Sequence, residues 1–119
     1  MSYETLEDCQ EEVGKGWRKL VEECWNICQS ISPPLEVVQV KEKFGGLRFY
    51  TGALSSSQDI NTWDRIHDVE ARSLLTCEFC GARGDLVSLR GWMKTLCPVC
   101  EDAANAKFKA DVDIAGPIS

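Results

Sequence analysis

Apolar residues recur at steps of three and four through residues 6–31, which is the spacing of one buried face on an amphipathic helix. Most acidic side chains of this stretch fall off that face. Thr5 followed by Asp8 resembles a helix-capping pair, and a Pro–Pro pair ends the segment. The pattern predicts a long N-terminal helix, with a break near Gly14 and Gly16 as the alternative, because glycine lowers helix propensity.

Two β-rich runs, residues 36–44 and 47–51, flank Gly45 and Gly46. This arrangement is typical of a β-hairpin. Alternation along the runs predicts one mostly apolar face and one polar face. The inward row is expected to hold Val38, Val40, Glu42, Phe44, Leu47 and Phe49, and the outward row Lys41, Lys43, Arg48 and Tyr50.

A second helix is expected over residues 58–75, after the serine run at residues 55–57. His67 is the only imidazole of the chain and has no nucleophile near it in sequence. We therefore expect a partly buried, structural histidine rather than a catalytic one or a spare metal ligand. The apolar face of this helix is imperfect and is marked by Ile60, Trp63, Ile66 or His67, Glu70 and Leu74.

Four cysteines form two C-x-x-C pairs, Cys77 with Cys80 and Cys97 with Cys100, separated by 16 residues. This spacing is typical of a tetrahedral zinc site, because each pair can bind one ion from a tight turn and two pairs complete the tetrahedron. Two disulfides or four unrelated thiols are the alternatives. Four thiolates leave no coordination position for water, so the sequence predicts a structural Zn²⁺ ion.

The residues between and after these pairs predict regular structure. Short strand-like runs at residues 85–89 and 92–96 are joined by Arg90 and Gly91, which can turn the chain. The Ala-rich residues after Cys100 favour a helix, and Pro98 is tolerated in a first helical turn.

A knuckle, a hairpin and a helix carrying the second Cys pair make up the treble-clef arrangement. A zinc ribbon is the alternative and would replace the helix with another hairpin. The expected fold is α+β, with a helix–hairpin–helix region at residues 1–76, a zinc-finger region at 77–110 packed on it, and an irregular tail at 111–119.

Composition and charge narrow the function classes. The 119 residues form one small domain or two lobes, and no apolar run is long enough to span a membrane. Seven cysteines without a secretory signal pattern favour the reducing cytoplasm and metal binding. The net charge is −6, and residues 1–36 carry eight acidic and three basic side chains. This field attracts a basic partner and opposes nucleic acid at long range.

Cys9, Cys24 and Cys28 lie in the predicted N-terminal helix. Cys24 and Cys28 are four residues apart and in principle share a metal ion, but no third and fourth ligand is evident. We expect all three to be buried thiols that act as small apolar side chains.

The outward face of the first hairpin is a candidate surface for an anion or for an acidic patch of a partner. An ordinary solvated sheet face is the simpler interpretation. The candidate partner-binding residues are Lys41, Lys43, Arg48 and Tyr50 on this hairpin and Arg90 and Trp92 on the second.

Two blocks carry a family resemblance: VKEKFGGLRFY at residues 40–50, and CEFCGARG at residues 77–84 followed by GWMKTLC at residues 91–97. They resemble a family of small, functionally uncharacterised bacterial and phage or prophage proteins over residues 17–100. Members can end in a Cys-x-x-His pair, whereas this chain ends in Cys97 and Cys100. The resemblance implies a phage-type origin and a zinc-finger architecture, and implies no activity.

Two functional hypotheses follow. In the first, a small non-enzymatic protein binds another protein, as an anti-CRISPR-like inhibitor of a host nucleic-acid-handling or defence complex. In the second, the chain is a nucleic-acid-binding or transcription-regulatory zinc finger in which Phe79 and Trp92 stack on bases. No enzyme is predicted, because no paired nucleophile and base, phosphate loop or open metal site is recognisable. The basic residues for the second hypothesis are Lys41, Lys43, Arg48, Arg83, Arg90 and Lys94.

Overall fold

The computed structural model describes residues 3–53 and 61–114, and the side chains of its last helix as far as Lys107. The chain is α+β, as the sequence predicts, with two separate two-stranded antiparallel sheets. The order of elements is α1 (Leu6–Gln10), a 3₁₀ helix (Lys15–Trp17), α2 (Arg18–Gln29), β1 (Val37–Lys43), β2 (Gly46–Thr51), α3 (Asn61–Ser73), β3 (Asp85–Leu89), β4 (Trp92–Leu96) and α4 (Pro98–Ile114).

The long N-terminal helix is not formed, because the segment folds as α1, the 3₁₀ helix and α2. Thr5 caps α1 as expected, since its Oγ1 accepts a 3.2 Å hydrogen bond from the amide of Asp8. Between the helices, Gly14 and Gly16 pass against the main chain of residues 77–81, where a Cβ atom on either glycine would collide with backbone. The two glycines therefore permit a close approach to a distant segment, which a continuous helix would prevent.

The first hairpin pairs β1 with β2, and Lys41 lies opposite Arg48. The register shifts between Val37 and Gln39, which is the signature of a β-bulge. Val37 is consequently buried and Val38 is 41% exposed. The expected inward position of Val38 is wrong, because the bulge moves the apolar row by one residue at this end of the strand.

The turn of this hairpin is formed by Phe44 and Gly45, one residue earlier than the two glycines suggested. Both turn residues have positive φ, at 54° and 84°, which is the pattern of a type I′ turn. Phe44 therefore leaves the inward row, and its side chain is 69% exposed. Arg90 and Gly91 repeat this geometry in the second hairpin, with φ of 53° and 87°.

Helix α3 covers the outer edge of β2 with side chains that replace a third strand. The Oγ of Ser73 accepts a 2.8 Å hydrogen bond from the amide of Leu47. A carboxylate oxygen of Glu70 accepts a 2.7 Å bond from the amide of Phe49. Two successive outward N–H groups of the strand are thus satisfied.

Tyr3 covers part of the outer edge of β1. Its amide donates to the carbonyl of Val37 at 3.0 Å, and its hydroxyl accepts from the amide of Val40 at 3.5 Å. Both outer edges of the sheet therefore carry bonds to other parts of the chain.

The buried face of α3 differs from the predicted one and is formed by Thr62, Ile66, Val69 and Ser73. Trp63 and Leu74 are each 40% exposed, and the side chain of His67 is 69% exposed. The expectation of a partly buried His67 is wrong, because the buried face runs through Ile66 and Val69 together with the small polar residues Thr62 and Ser73, which leaves His67 outside it. Residues 58–60 of the predicted helix, including Ile60, and the serine run lie outside the described residues.

Buried apolar side chains form two clusters. The larger joins α1, α2, the first hairpin and α3, with Trp17, Val21, Val40, Leu47 and Ile66 among its best-buried members. The smaller lies under the second hairpin and consists of Cys77, Leu89, Leu96 and Cys97. A core of four residues, two of them cysteines, contributes little hydrophobic stabilisation of its own.

The turn of the first hairpin rests on the second hairpin. The Oγ1 of Thr95 donates a 2.7 Å hydrogen bond to the carbonyl of Gly45. Lys94 Nζ lies 3.1 Å from a carboxylate oxygen of Glu42 and 3.6 Å from one of Glu78. Glu42 in turn accepts a 2.7 Å bond from the amide of Gly45. These contacts join both hairpins to the segment that carries Cys77.

Helix α4 begins at Pro98 and runs to Ile114, so a helix and not a further hairpin follows β4. Residues 111–114, assigned to an irregular tail from the sequence, continue this helix, and residues 115–119 lie outside the described part. Among the described residues, no helix combines the length and apolar character needed to cross a membrane.

Candidate functional site

The four cysteines of the two C-x-x-C pairs come together in one site. Their sulfur atoms all lie within 4.8 Å of one another, and Cys80 Sγ is 3.6 Å from Cys97 Sγ. A tetrahedral ion with metal–sulfur bonds of about 2.3 Å separates its ligands by about 3.8 Å. The donor set and its dimensions therefore fit a single metal ion. Within the described residues, no other group of three or more cysteine, histidine or carboxylate side chains has this proximity.

The first pair is presented by a tight turn, residues 77–81, which we call the knuckle. The amide of Gly81 donates to the carbonyl of Cys77 at 2.9 Å, and the amide of Cys77 donates to the carbonyl of Ala82 at 2.7 Å. Gly81 has φ of 86°, a conformation that glycine adopts without steric cost. The turn thus brings the Cys77 and Cys80 sulfurs to the same side of the chain.

The second pair is presented by the start of α4. Cys97 immediately precedes the helix, and Cys100 lies in its first turn. The amide of Cys100 donates to Cys97 Sγ at 3.4 Å, and the amide of Glu101 donates to the carbonyl of Cys97 at 2.9 Å. The start of the helix therefore holds both sulfurs of this pair next to its first turn.

The surroundings of the site favour the thiolate form of one cysteine, Cys77, but disfavour four thiolates at once. Burial alone would raise the pKa of Cys77, but backbone groups of Cys97, Cys80 and Phe79 bond to its sulfur and lower the pKa to about 6. The pKa of Cys100 is raised by burial and then by the neighbouring thiols. Four negative sulfurs at this distance require a cation between them, and a bound dication reverses the increase.

The site is fastened to the larger core through the knuckle. The amide of Gly16 donates a 2.7 Å hydrogen bond to the carbonyl of Glu78, and the amide of Gly14 donates to the Glu78 carboxylate at 3.3 Å. Trp17, fully buried, donates from Nε1 to the carbonyl of Thr76 at 2.8 Å. The position of the cysteine turn is therefore set by the helical part of the chain as well as by its own hairpin.

Cys9, Cys24 and Cys28 are all fully buried, as predicted. Burial raises the pKa of Cys9 to about 12 and that of Cys28 to about 11, and it also raises the pKa of Cys24. Neutral, buried thiols of this kind behave as small apolar side chains.

The candidate partner-binding residues of the first hairpin share its outward face. Arg48 and Tyr50 are exposed on β2, and Lys41 lies opposite Arg48 on β1. Lys41 Nζ is 5.7 Å from the centroid of the Tyr50 ring, within the range of a cation–π contact. In the described part of the chain, no carboxylate lies within ion-pair distance of Lys41, Lys43 or Arg48.

The two remaining candidates belong to the second hairpin. Trp92 is 72% exposed, and Arg90 occupies the adjacent turn. Lys43 and Trp92 border one cleft between the hairpins. The structure therefore brings Trp92 to Lys43, whereas Lys41, Arg48 and Tyr50 extend away along the first hairpin.

The sequence pattern did not reveal the roles of three residues of this region. Phe44 was placed in the core because a glycine pair leaves the turn position ambiguous by one residue, although a Phe–Gly turn resembles the Arg–Gly turn that was recognised. Glu78 was missed, and Lys94 was assigned to nucleic-acid binding, because nothing in their local pattern signals an ion pair between distant segments. Glu78 is 5% exposed and Lys94 is its charged neighbour.

Comparison with models of known protein families, with curated proteins and with solved structures found no match for this chain. The resemblance of its hairpin and cysteine blocks to small phage-type proteins stays a prediction.

Proposed function

We propose that this protein is a zinc-stabilised, non-enzymatic binding module whose partner is another protein. The observation that carries the proposal is an ion-pair-free basic face, formed by Lys41, Lys43 and Arg48 within the described residues, on a protein of net charge −6. Arg72 and Lys94, by contrast, each lie within ion-pair distance of two carboxylates: Arg72 of Glu23 and Asp68, and Lys94 of Glu42 and Glu78. A cationic face left without partners on an acidic protein is suited to an acidic patch on a second molecule.

Zinc is the proposed metal because the donor set consists of four thiolates. Soft sulfur ligands select zinc, copper(I) or iron–sulfur clusters, and a closed four-cysteine site built from two tight turns is typical of structural zinc. All four positions are filled by protein, so the ion would supply folding free energy and no reactive water. The order of knuckle, hairpin and helix supports a treble clef as the architecture of this region.

The biological role that we propose is that of a phage-type inhibitor. The basic face would hold the partner protein, while the acidic N-terminal helix would occupy or shield a site meant for nucleic acid. Glu7, Asp8, Glu11 and Glu12 are all exposed on and beside α1, which supports this second contact. The resemblance of the hairpin block to phage and prophage proteins supports the origin.

Nucleic acid is the second candidate partner. Trp92 and Phe79 are exposed aromatic residues, at 72% and 45%, and aromatic side chains beside basic ones bind single strands. Lys94 contributes less to such a site than the sequence suggested, because two carboxylates already surround it. The net charge also opposes a long polyanion.

Affinity purification from the native host, with mass spectrometry and nuclease controls, tests the proposal. We would compare the metal-loaded protein with Lys41→Glu/Lys43→Glu and with Lys15→Glu/Lys19→Glu, which changes the charge equally on exposed residues of the acidic segment. A protein recovered with the wild type and the control, and at least tenfold less with the hairpin variant, is expected. Recovery of nucleic acid alone, with a steep inverse dependence on salt, would support the second candidate.

A further inference from the structure

An exposed apolar patch surrounds the turn of the first hairpin. Phe44 and Trp92 are 69% and 72% exposed, and Leu86 and Leu74 are 46% and 40% exposed. Gly45 lies against the side chain of Leu86 and Gly46 against that of Leu74. Exposed apolar side chains that adjoin one another and are rimmed by charge mark interaction sites more often than isolated ones do.

Phe44 separates two depressions in this patch. On one side is a cleft of about 440 Å³ lined by Glu42, Lys43, Phe44, Gly91, Trp92 and Met93. On the other side is a depression of about 370 Å³ that includes Arg48, Leu74 and Leu86. The first cleft has an aromatic ring from each hairpin at its border, and its volume is sufficient for one large side chain.

Neither packing nor backbone preference explains a phenylalanine at this turn. Its φ of 54° is a left-handed conformation that asparagine, aspartate and glycine adopt more readily than bulky residues do. The ring lies largely in solvent, so it gains little from burial. Unfavourable local conformations of this kind persist where the side chain has a use.

Hydrogen bonds to Thr95 and Glu42 fix the turn of the first hairpin. Thr95 donates to the carbonyl of Gly45 at 2.7 Å, and the amide of Gly45 donates to Glu42 at 2.7 Å. Lys94 Nζ lies 3.1 Å from a carboxylate oxygen of Glu42. The cleft is therefore pre-formed, which lowers the entropic cost of binding.

The charge that frames the cleft is positive. Lys43 Nζ lies 5.6 Å from the centroid of the Phe44 ring, and Arg48 borders the neighbouring depression. Glu42 is the acidic residue of the cleft lining, and it pairs with Lys94, which it shares with Glu78, whereas Lys43 and Arg48 have no carboxylate within ion-pair distance among the described residues. An occupant is consequently expected to be apolar at the cleft and acidic beside it.

We propose that the Phe44–Trp92 cleft accepts one aromatic or aliphatic side chain of an acidic protein segment, whose carboxylates contact Lys43 and Arg48. This inference rests on the proposed protein-binding function and names the chemistry of its partner. A peptide is favoured over a nucleic acid because the exposed rings of Phe44 and Trp92 border one cleft, whereas single-strand binders present a series of stacking surfaces along a basic groove.

Selection of random 12-residue peptides on the metal-loaded protein tests this inference, followed by fluorescence anisotropy of the best binder. Enriched peptides should carry aspartate or glutamate beside one aromatic or aliphatic residue. Phe44→Asn, which suits the turn, and Trp92→Ala should each weaken binding at least tenfold. Val99→Ala, which removes an equally exposed apolar side chain on α4, should bind within twofold of the wild type. Metal content and circular dichroism check that each variant is folded.

The failures of the two proposals are distinguishable. If Lys41→Glu/Lys43→Glu abolishes peptide binding and both cleft variants bind normally, the cleft inference is wrong and the basic face stands. If none of these variants weakens binding, both are wrong. A library that yields no binder, or only binders without acidic residues, overturns the inference. Binding of a 20-nucleotide oligothymidylate instead of a peptide overturns it as well.

Discussion

The amide of Gly16 donates a 2.7 Å hydrogen bond to the carbonyl of Glu78, which places the helical part of the chain directly on the main chain of the knuckle. A Cβ atom at residue 16 would overlap the carbonyl oxygen of Cys77 and lie 2.5 Å from the amide nitrogen of Gly81. The two parts of the protein are thus joined by backbone contact at the metal site.

Gly16→Ala is expected to lower the free energy of unfolding by about 2 kcal/mol, because the added methyl group forces two backbone segments apart. It should also weaken metal affinity, since the displaced atoms belong to the cysteine turn. Urea unfolding and metal competition measure the two effects. Gly52→Ala is the control, because its Cβ would meet only Glu36, at 3.7 Å. Equal stability of the two variants would contradict the contact.

Metal removal is expected to unfold the second hairpin and the knuckle, since their core consists of four residues, two of which are ligands. Cys77→Ser and Cys97→Ser should lose stoichiometric zinc, measured by elemental analysis. Cys24→Ala should keep the metal, because Cys24 belongs to the other core. A chelated protein whose near-ultraviolet circular dichroism is unchanged would argue against a structural ion.

Lys94→Met is expected to destabilise the protein by about 2 kcal/mol, because it leaves the buried carboxylate of Glu78 without its counter-charge. The double variant Lys94→Met/Glu78→Gln should recover part of this loss, since it removes the more deeply buried of the two carboxylates that Lys94 contacts and leaves only that of Glu42. A double-mutant cycle by urea unfolding gives the coupling energy. Strict additivity of the two substitutions would show that the pair is not coupled.

Alkaline pH is expected to destabilise the fold through its buried thiols. Burial raises the pKa of Cys9 to about 12 and of Cys28 to about 11, from an ordinary 9.0. Above about pH 9 the unfolded chain loses these protons and the folded chain retains them, so stability is full below that pH and falls as pH rises towards the folded pKa values. The slope approaches about 1.4 kcal/mol per thiol per pH unit.

Urea unfolding of the metal-loaded protein between about pH 8 and pH 10.5 measures this slope. The variant Cys9→Ala/Cys28→Ala should show a shallower decline than the wild type, because its other titrating groups are the same. Parallel curves for the two proteins would mean that the thiols do not carry the effect.

Local sequence pattern predicted the structure correctly where the residues that determine it are close together in sequence. The spacing of Cys77, Cys80, Cys97 and Cys100 predicted a site whose sulfurs do come together. The Arg90 and Gly91 turn and the helix after Cys97 were likewise predicted, because a glycine at positive φ and a proline in a first turn act locally.

Local sequence pattern did not predict the structure where contacts with a distant segment determine it. The break at Gly14 and Gly16 depends on contact with Glu78, more than sixty residues away, which helical periodicity does not encode. Which face of α3 packs on the sheet depends on hydrogen bonds from the edge of β2 to Glu70 and Ser73. A pattern of apolar residues alone cannot predict that face, because it ignores polar residues. The one-residue error at Phe44 shows the same limit, since a slip of one position exchanges the faces of a strand.

The side chains that cover the first sheet have a consequence for how a partner can attach. Ser73 and Glu70 accept from successive outward N–H groups along β2, and Tyr3 bonds to the carbonyl of Val37 and the amide of Val40 on β1. A foreign strand therefore cannot extend this sheet by main-chain pairing without first expelling those caps. These caps disfavour binding of a partner by β-augmentation, a mode that depends little on the sequence of the ligand. The selectivity of this hairpin for a partner therefore depends on its exposed aromatic rings and ammonium groups.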